Sequence, residues 1–507
     1  MLFIILLALV CFVFINNRKL LNIKIKKRNK ENKKLKLNYK NTFLIGMAFF
    51  SITLLWTVYG QYCPLMVEQV LINSGICKTT EETLLPVGVI MALDNALALF
   101  MLPIFGTLSD KTKCSFGKRM IYVFPGMVAA SIVFPFVALA FLLFPNSIWL
   151  LVALMGLVLI IMNIYRNPAV ALMPDVTPKP LRSTANGIIN FVGYIGGAIG
   201  GILMMIFPIM KNKVPTTPHN AIISFIIAAV FMLVAAIILV INVKENKLLK
   251  ENAEALKEGE RQSETIANVD GGEKLSKTDK RNLIIVLLGV LFWYFSFNAL
   301  ESFASLFTTH VLGGNYSGTI VVVLTATSLV SFILLINLPS KIGRKWTVLL
   351  GIGLMMVGFI GIIITLFANG VFANDYITFT AEKEAIFNAN IPWSKLIYVI
   401  YGFVAFIGIG WALINANSYP MLVELSSGKD IGKYTGIYYT FSMVAQTLTP
   451  ILAGTWMTFD TTGNGLKLLF VYSLIMIIVA GIIMLFFKEK KKVIEKSKIG
   501  FESLDND

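Results

Sequence analysis

The sequence predicts an all-α polytopic membrane protein made of two six-helix bundles, and three observations predict it. Of 507 residues, 56% are hydrophobic and only 14% are charged, which is far more apolar than a soluble domain of this size needs for its core. Twelve long apolar segments recur along the chain. The charged segment 244–281, which has no long apolar run, divides them six and six.

Each predicted span is an apolar run that is long enough, as a helix, to cross a hydrocarbon layer of about 30 Å. The twelve spans are residues 43–66, 85–108, 120–144, 148–173, 185–209, 220–243, 282–309, 318–338, 346–369, 395–420, 435–458 and 466–487. Six consecutive spans on either side of the charged segment predict two halves that are related by an internal repeat.

The basic residues predict the orientation of these spans. Most of the 44 Lys and Arg residues lie in segments that are cytoplasmic if both ends of the twelve-span unit are inside, as the positive-inside rule requires. We therefore expect a multi-pass protein of the cell membrane with a cytoplasmic C-terminus. The same loops, lying beside anionic lipid, explain the net charge of +16 without a nucleic-acid partner.

The first fifteen residues, "MLFIILLALVCFVFI", are apolar and are followed by a basic segment. They lack a basic leading region and a small-residue cleavage site, which favours a retained anchor helix over a cleaved signal peptide; an overlong gene start is the alternative. The predicted organisation is an anchor and basic segment (1–40), a first bundle (41–243), a linker (244–281), a second bundle (282–487) and a tail (488–507).

The linker carries both charge signs, and its first part has apolar residues at Leu248, Leu249 and Leu256. This pattern predicts a surface helix followed by a flexible stretch, "NVDGGEKLSK". Asp175 and Glu424 occupy matching places at the start of the fifth helix of each half, which favours parallel repeats.

The turn after the second span reads "GTLSDKTKCSFGKR" and contains Gly106, Asp110, Lys118 and Arg119. It resembles the cytoplasmic signature of the major facilitator superfamily. A carboxylate at a helix end that faces Lys or Arg from the next helix forms a charge-assisted latch. The predicted latch consists of Gly106, Asp110, Lys118, Arg119, Asp175 and Arg182. The second half has Ser340 in place of the acid, so the latch is predicted for the first half.

Two longer stretches carry a narrower resemblance: "LPIFGTLSDKTKCSFGKRMIYV" and "NPAVALMPDVTPKPLRSTANGIINFVGYIGGAIG". Together they are similar to the plant sucrose–proton symporters and their animal and bacterial relatives, near the glycoside–pentoside–hexuronide cation symporters. The resemblance covers mainly the first half, and it implies a major facilitator fold, alternating access, a sugar substrate and a coupling proton. It departs at Leu159, where those symporters have a proton-carrying aspartate, and at Val170, where they have an arginine.

Two carboxylates, Asp94 and Glu301, lie well within predicted spans. A charge there costs about 2.5–3.5 kcal/mol on insertion scales unless it faces a cavity or a partner. A carboxyl group in such a site binds and releases protons as its surroundings change, so both residues are proton-coupling candidates. A structural ion pair between Asp94 and Arg166, the buried charge partner, is the alternative. Sodium would need several oxygen ligands together, so we favour protons.

Polar and aromatic residues recur at helical spacing along several spans, which is the combination that binds sugar hydroxyls and sugar C–H faces. The substrate-binding candidates are Trp56, Tyr59, Asn163, Asn190, Tyr194, Tyr294, Asn298, Trp411, Asn415, Tyr439 and Gln446. Packing between helices is the alternative interpretation of each stripe. Their distribution over both halves favours a shared site.

These observations predict a secondary active transporter that couples a proton to the symport of a sugar, such as sucrose or maltose, by alternating access. Its predicted partners are the sugar, the proton and the lipid bilayer; we expect a monomer without nucleic acid, cofactor, metal or catalytic residues, and not an enzyme. The alternative is a sodium-coupled or exporter-type carrier of another small metabolite, a drug or an amphiphilic lipid.

Overall fold

The structure is a computed structural model that describes residues 35–211, 214–215, 219–269, 277–312, 316–335, 338–372, 393–425, 431–460 and 465–488. The predicted N-terminal anchor helix and the tail beyond residue 488 lie outside the described residues. The side chains of Asp94, Ser340 and Glu424 are also outside the described part, although the backbone of each lies in a described helix.

Twelve long helices account for nearly all of the described chain, and each overlaps one predicted span. The first half contains α1 (Tyr39–Asn73), α2 (Thr80–Lys111), α3 (Met120–Leu143), α4 (Ile148–Val176), α5 (Arg182–Ile206) and α6 (His219–Asn242). Two linker helices follow, α7 (Glu245–Glu251) and α8 (Ala253–Val269). The second half contains α9 (Lys277–His310), α10 (Ser317–Leu334), the short α11 (Leu338–Ile342), α12 (Arg344–Ala368), α13 (Trp393–Leu425), α14 (Ile431–Met457) and α15 (Leu469–Leu485).

The long helices have the length and composition of membrane spans. Within the described residues, ten helices are long and apolar enough to cross a membrane. The helix α10 has a shorter apolar stretch, Ser317–Phe332, and α14 carries many hydroxyl side chains. The predicted linker helix is present as α7 and α8. A minimal antiparallel pair, β1 (Met210–Lys211) and β2 (Val214–Pro215), connects α5 to α6.

The two halves use the same packing scheme. In the first half α1 packs on α5 and α6, α2 packs on α4, and α3 packs on α4 and α6. In the second half α9 packs on α14 and α15, α10 packs on α13, and α12 packs on α13 and α15. Across the halves, α2 packs on α14, α5 on α10, and α1 on α9. The second helix of each half therefore meets the fifth helix of the other, as a pair of repeats related by a two-fold axis requires.

Small residues let these helices approach closely. A Cβ atom at Gly196 would overlap the backbone carbonyl of Phe50, and one at Gly200 would lie 2.8 Å from Cβ of Thr57. A Cβ atom at Gly201 would lie 3.0 Å from the carbonyl oxygen of Gly318. The glycine face of α5 is thus a packing surface for α1 and α10.

The halves touch at one end of the bundle, which we call the outer end; it carries the turn 74–79, and the opposite inner end carries the turn 112–119. A Cβ atom at Gly88 would overlap the carbonyl oxygen of Pro450, and one at Gly454 would lie 2.8 Å from that of Leu84. The backbones of α2 and α14 therefore pack directly against each other near the outer end.

Candidate functional site

A cavity lies between the two halves, below the outer contact of α2 and α14. It is narrow and partly open to the exterior. Four helices line it, two from each half. The lining residues are Trp56, Tyr59 and Gly60 of α1, Met91 and Asn95 of α2, Asn298, Glu301 and Ser302 of α9, and Gln446 of α14.

The polar groups of this cavity are concentrated on α9 and its neighbours. Asn298 is buried, and its amide nitrogen has no hydrogen-bond partner among the described residues. Glu301, one turn further along α9, is an exposed side chain in the cavity wall. The amide of Asn95 donates to the carbonyl oxygen of Gln446 at 3.3 Å. The cavity thus offers an unused buried donor and a carboxylate, and one hydrogen bond joins the halves beside them.

Arg166 of α4 brings a positive charge close to this wall. Its guanidinium carbon lies 5.0 Å from the centroid of the Trp56 ring, a cation–π geometry. Glu301 and Arg166 interact electrostatically, so charges of opposite sign from the two halves lie near each other. Asp94 belongs to α2 between the lining residues Met91 and Asn95; its predicted pair with Arg166 stays a prediction because its side chain is outside the described part.

A second cluster, made of aromatic and amide side chains, lies between α9 and α13 beside the cavity. The hydroxyl of Tyr294 donates to Oδ1 of Asn415 at 3.4 Å, and its ring meets that of Trp411 edge-on at 5.2 Å. Phe297 stacks on Trp411 with ring centroids 3.8 Å apart. Tyr294 precedes Asn298 by one helical turn, so this aromatic cluster continues the cavity wall.

The remaining substrate-binding candidates are placed differently. Asn163 is fully buried and donates to the carbonyl of Leu159 in its own helix. Asn190 likewise donates to the carbonyl of Asn186. Neither residue lines the cavity. Tyr194 lies near Tyr294. Tyr439 is 52% exposed and packs against neighbouring tyrosines of α13 and α14.

Several cavity residues escaped the sequence analysis. Gly60 and Ser302 each follow a predicted residue by four positions, so helical spacing alone could have found them. Met91 carries no distinguishing signal, because apolar residues fill every span, and the same holds for Phe297 of the aromatic cluster beside the cavity.

An acid–base network lies at the inner end. Arg119 is 4% exposed and pairs with Asp110 and, through Nε, with Asp175 at 2.9 Å. Lys118 pairs with the same Asp175 oxygen at 3.0 Å, and Arg119 also donates to the carbonyl of Gly106. Burial alone would lower the pKa of Arg119, but the hydrogen bonds and charges of Asp175 and Asp110 outweigh it and raise the pKa.

Five of the six predicted latch residues therefore come together. Arg182 lies at the edge of the network, where its Nε donates to the carbonyl of Thr177 at 3.2 Å. Burial lowers the pKa of Arg182, while Asp175 and Glu260 oppose that shift. The network joins α2, α3 and α4, and no ion pair among the described residues connects it to the second half.

A further pair at the outer end was not predicted. Glu68 of α1 and His310 of α9 are in contact, with the His310 Nε2 atom 2.9 Å from Oε2 of Glu68. The apolar pattern of the sequence ends the first predicted span at residue 66, which leaves Glu68 in a loop. The helix instead continues to Asn73 and buries the carboxylate.

Two related helical halves, a polar cavity between them and an acid–base network at one end are the features of a membrane carrier. Family comparison agrees, because residues 83–383 match the family model described as MFS/sugar transport protein and residues 384–503 match that of the Major Facilitator Superfamily. The chain belongs to the major facilitator superfamily, and it is a multi-pass membrane transporter of this superfamily.

Solved structures share the fold. They include a bacterial homologue of the human lysosomal transporter Spinster in an inward-facing, occupied conformation, with 14% identity over 88% of this chain and 95% of that one and a TM-score of 0.56. The xylose transporter XylE from E. coli, in a partially occluded inward-open conformation, has 13% identity over 89% and 99% of the two chains and a TM-score of 0.56. The nucleoside transporter NupG has 12% identity over 88% and 100% and a TM-score of 0.53. No curated protein sequence matches this chain.

Proposed function

We propose that this protein is a proton-coupled symporter that imports a sugar, a disaccharide or glycoside such as sucrose or maltose, across the cytoplasmic membrane by alternating access. The observation that carries the proposal is the buried, unpartnered amide of Asn298 beside Glu301 in a cavity walled by Trp56 and Tyr59. The resemblance to sucrose–proton symporters and the sugar-transport description of the matching family point the same way.

The cavity suits the chemistry of a sugar. A sugar hydroxyl accepts a hydrogen bond from the Asn298 amide and donates one to a carboxylate such as Glu301, while its C–H face packs on an aromatic ring. Leaving the Asn298 donor unpaired costs about 1–3 kcal/mol. A substrate oxygen that pairs with it recovers that free energy and so binds selectively.

Glu301 supplies the coupling step. As an anion it interacts with Arg166 across the cavity, and proton binding removes that attraction. The proton therefore changes how strongly the two halves hold each other around the sugar, which is the differential interaction that a conformational equilibrium responds to. Asp94 remains a second proton-coupling candidate by its position in α2.

Alternating access then consists of rocking the two bundles about the cavity. The direct packing of α2 on α14 and the Glu68–His310 pair close the outer end in this conformation. When these contacts separate, the cavity opens outward as the inner ends of the two halves approach each other. The inner acid–base network holds the ends of α2, α3 and α4 in the arrangement that the second half then meets.

A second candidate is a carrier of a charged metabolite, driven by sodium or by exchange. The observation that favours it is the presence of opposite charges, Glu301 and Arg166, at one cavity. A zwitterionic or anionic solute would pair with one or both of them.

Ligand-dependent thermal stabilisation of the purified protein tests the sugar proposal. A sugar that binds only the folded state raises the melting temperature. We expect sucrose or maltose to stabilise the parent and the control Asn190→Ala, whose amide bonds within its own helix, but not Asn298→Ala. Equal stabilisation of both variants would contradict the assignment of Asn298. Stabilisation by charged metabolites alone would favour the second candidate.

A further inference from the structure

The linker reaches into the inner end of the first half through Glu245, which is the first residue of α7. Its carboxylate oxygen Oε2 accepts hydrogen bonds from the backbone N–H groups of Arg119 at 2.9 Å and Met120 at 3.0 Å. Glu245 is fully buried. The carboxylate therefore occupies the N-terminus of α3, although 125 residues separate it from Met120.

The start of α3 needs this carboxylate. The first N–H groups of a helix have no partner within the helix, and the end carries a partial positive charge. The N-cap residue of α3 is Arg119, whose side chain makes no capping hydrogen bond, because a guanidinium has no acceptor atom; it donates instead to Asp110 and Asp175. The linker supplies the missing acceptor and a compensating negative charge.

Gly117 makes room for the carboxylate. Its φ is +119°, in a region that side chains rarely adopt, and a Cβ atom there would overlap the Glu245 carboxylate. The glycine of the "FGKR" sequence thus fits both the turn and the approach of Glu245.

The rest of the linker holds Glu245 in place. The amide of Asn246 donates to the carbonyls of Cys114 and Ser115 at 3.0 and 2.8 Å. The amide of Asn252 donates to the carbonyl of Val176 at 2.9 Å. Gly259 of α8 packs on Pro178, so the linker crosses both inner turns of the first half before the chain enters α9.

We propose that Glu245 is a positioning residue of the inner network. It fixes the backbone of Arg119 so that the Arg119 guanidinium bridges Asp110 and Asp175. Through this contact the linker sets the balance between the inward-open and inward-closed conformations. Arg119 forms the ion pairs with both carboxylates, and Glu245 acts by positioning Arg119. The proposal builds on the proposed transport cycle, but it concerns conformational populations that exist without substrate.

Spin-label distances across the inner end test this proposal. The labels replace Lys113 and Lys341, which are exposed and lie on opposite halves, in the full chain with its four native cysteines changed to serine. Double electron–electron resonance in liposomes without substrate gives the distribution of distances between the two labels. The measured quantity is the ratio of the population with the wide distance (inner end open) to the population with the narrow distance (inner end closed). We expect Glu245→Gln to raise that ratio about tenfold, within the usual range of coupling between sites, and in the same direction as Asp110→Asn.

Two comparisons separate positioning from a general structural role. Glu254→Gln removes the same charge from an exposed site on α8, and it should leave the ratio unchanged. Arg119→Lys keeps the charge but cannot bridge two carboxylates; if Glu245 acts through Arg119, the double variant shifts the ratio no further than Arg119→Lys alone.

An unchanged distance ratio in Glu245→Gln, or additive shifts in the double variant, would overturn the proposal. Glu245→Gln carries the test even if Glu245→Ala does not fold, because its side chain keeps the size of the carboxylate but removes the negative charge at the N-terminus of α3 and weakens the hydrogen bonds from the backbone of Arg119 and Met120. A failure of sugar transport would leave these distances unaffected, so the two proposals fail separately.

Discussion

The carboxylate of Glu68 and the imidazole of His310 join the two halves of the transporter at its outer end. The His310 Nε2 atom lies 2.8 Å from one Glu68 oxygen and 2.9 Å from the other. Glu68 is only 1% exposed, and a carboxylate buried to this degree is stable only with a partner. The pair therefore contributes to the closed outer end.

Breaking this pair should open the outer end more often. We expect His310→Gln to make a cysteine placed at Thr83, which is fully buried near the outer contact, react several-fold faster with a membrane-impermeant maleimide added outside, since loss of one buried partner costs about 1–3 kcal/mol. Lys467→Gln is the control, because Lys467 pairs with Asp460 at the outer end within one half. Equal labelling rates in His310→Gln and the parent would contradict the account.

The close approach of α2 and α14 should depend on Gly88. Gly88→Ala puts a methyl group against the Pro450 carbonyl, so we expect the outer end to close less completely and transport to fall. Gly353→Ala is the matched control, since its new Cβ would meet no atom within 4 Å. Maleimide labelling at Thr83→Cys and uptake in liposomes measure the two effects. Normal uptake by Gly88→Ala would mean that the contact is not part of the cycle.

The inner network should stabilise the conformation that is closed at the inner end, because it fixes the ends of α2, α3 and α4 in the surface that the second half meets when that end closes. Asp110→Asn removes one of the two carboxylates that Arg119 bridges, and we expect the carrier to shift toward the inward-open state. Cysteines placed on either side of the membrane report the shift, with greater inner and lower outer accessibility than in the parent. Equal accessibility on both sides in variant and parent would refute this role.

The thiol of Cys77, in the outer turn, should react slowly. Burial, and secondarily the charge of Glu82, raise the pKa of this thiol. A raised pKa lowers the thiolate fraction at neutral pH, so labelling by N-ethylmaleimide should increase only as the pH rises well above neutral. Glu82→Gln should accelerate it modestly. Labelling at neutral pH as fast as in the detergent-denatured protein would disprove the burial of this thiol.

Most of the fold followed from patterns that depend on the bilayer alone. A run of about twenty apolar residues has one stable form in hydrocarbon, a helix, so the twelve spans could be located closely. The ends of helices were less predictable, because a helix continues into the interface when a partner lies there. Glu68 shows this: its burial depends on His310, which is distant in sequence.

The inner network was predictable and the cavity only in part, for a physical reason. Asp110, Arg119 and Asp175 stand at helix ends in a motif whose charges require partners. Polar stripes on apolar helices pointed to Trp56, Asn298 and Glu301, because polar side chains within a span are costly unless they face a cavity or a partner. Asn163 and Asn190 fit the same pattern, but their side chains donate hydrogen bonds to carbonyls of their own helices. Helical spacing alone does not distinguish such residues from residues that face a cavity. The capping role of Glu245 arises from tertiary contact, which the charged linker sequence does not reveal.

Coupled proton movement is the most direct test of the central claim. The purified protein is reconstituted in liposomes that contain a pH-sensitive dye, and sucrose, maltose and other glycosides are added outside. The account predicts sugar-dependent acidification of the interior that is lost in Glu301→Gln and retained in Glu254→Gln, with Asp94→Asn testing the second carboxylate. No proton movement with any sugar, in protein that is folded and correctly inserted, would contradict proton–sugar symport and point to sodium coupling or another substrate.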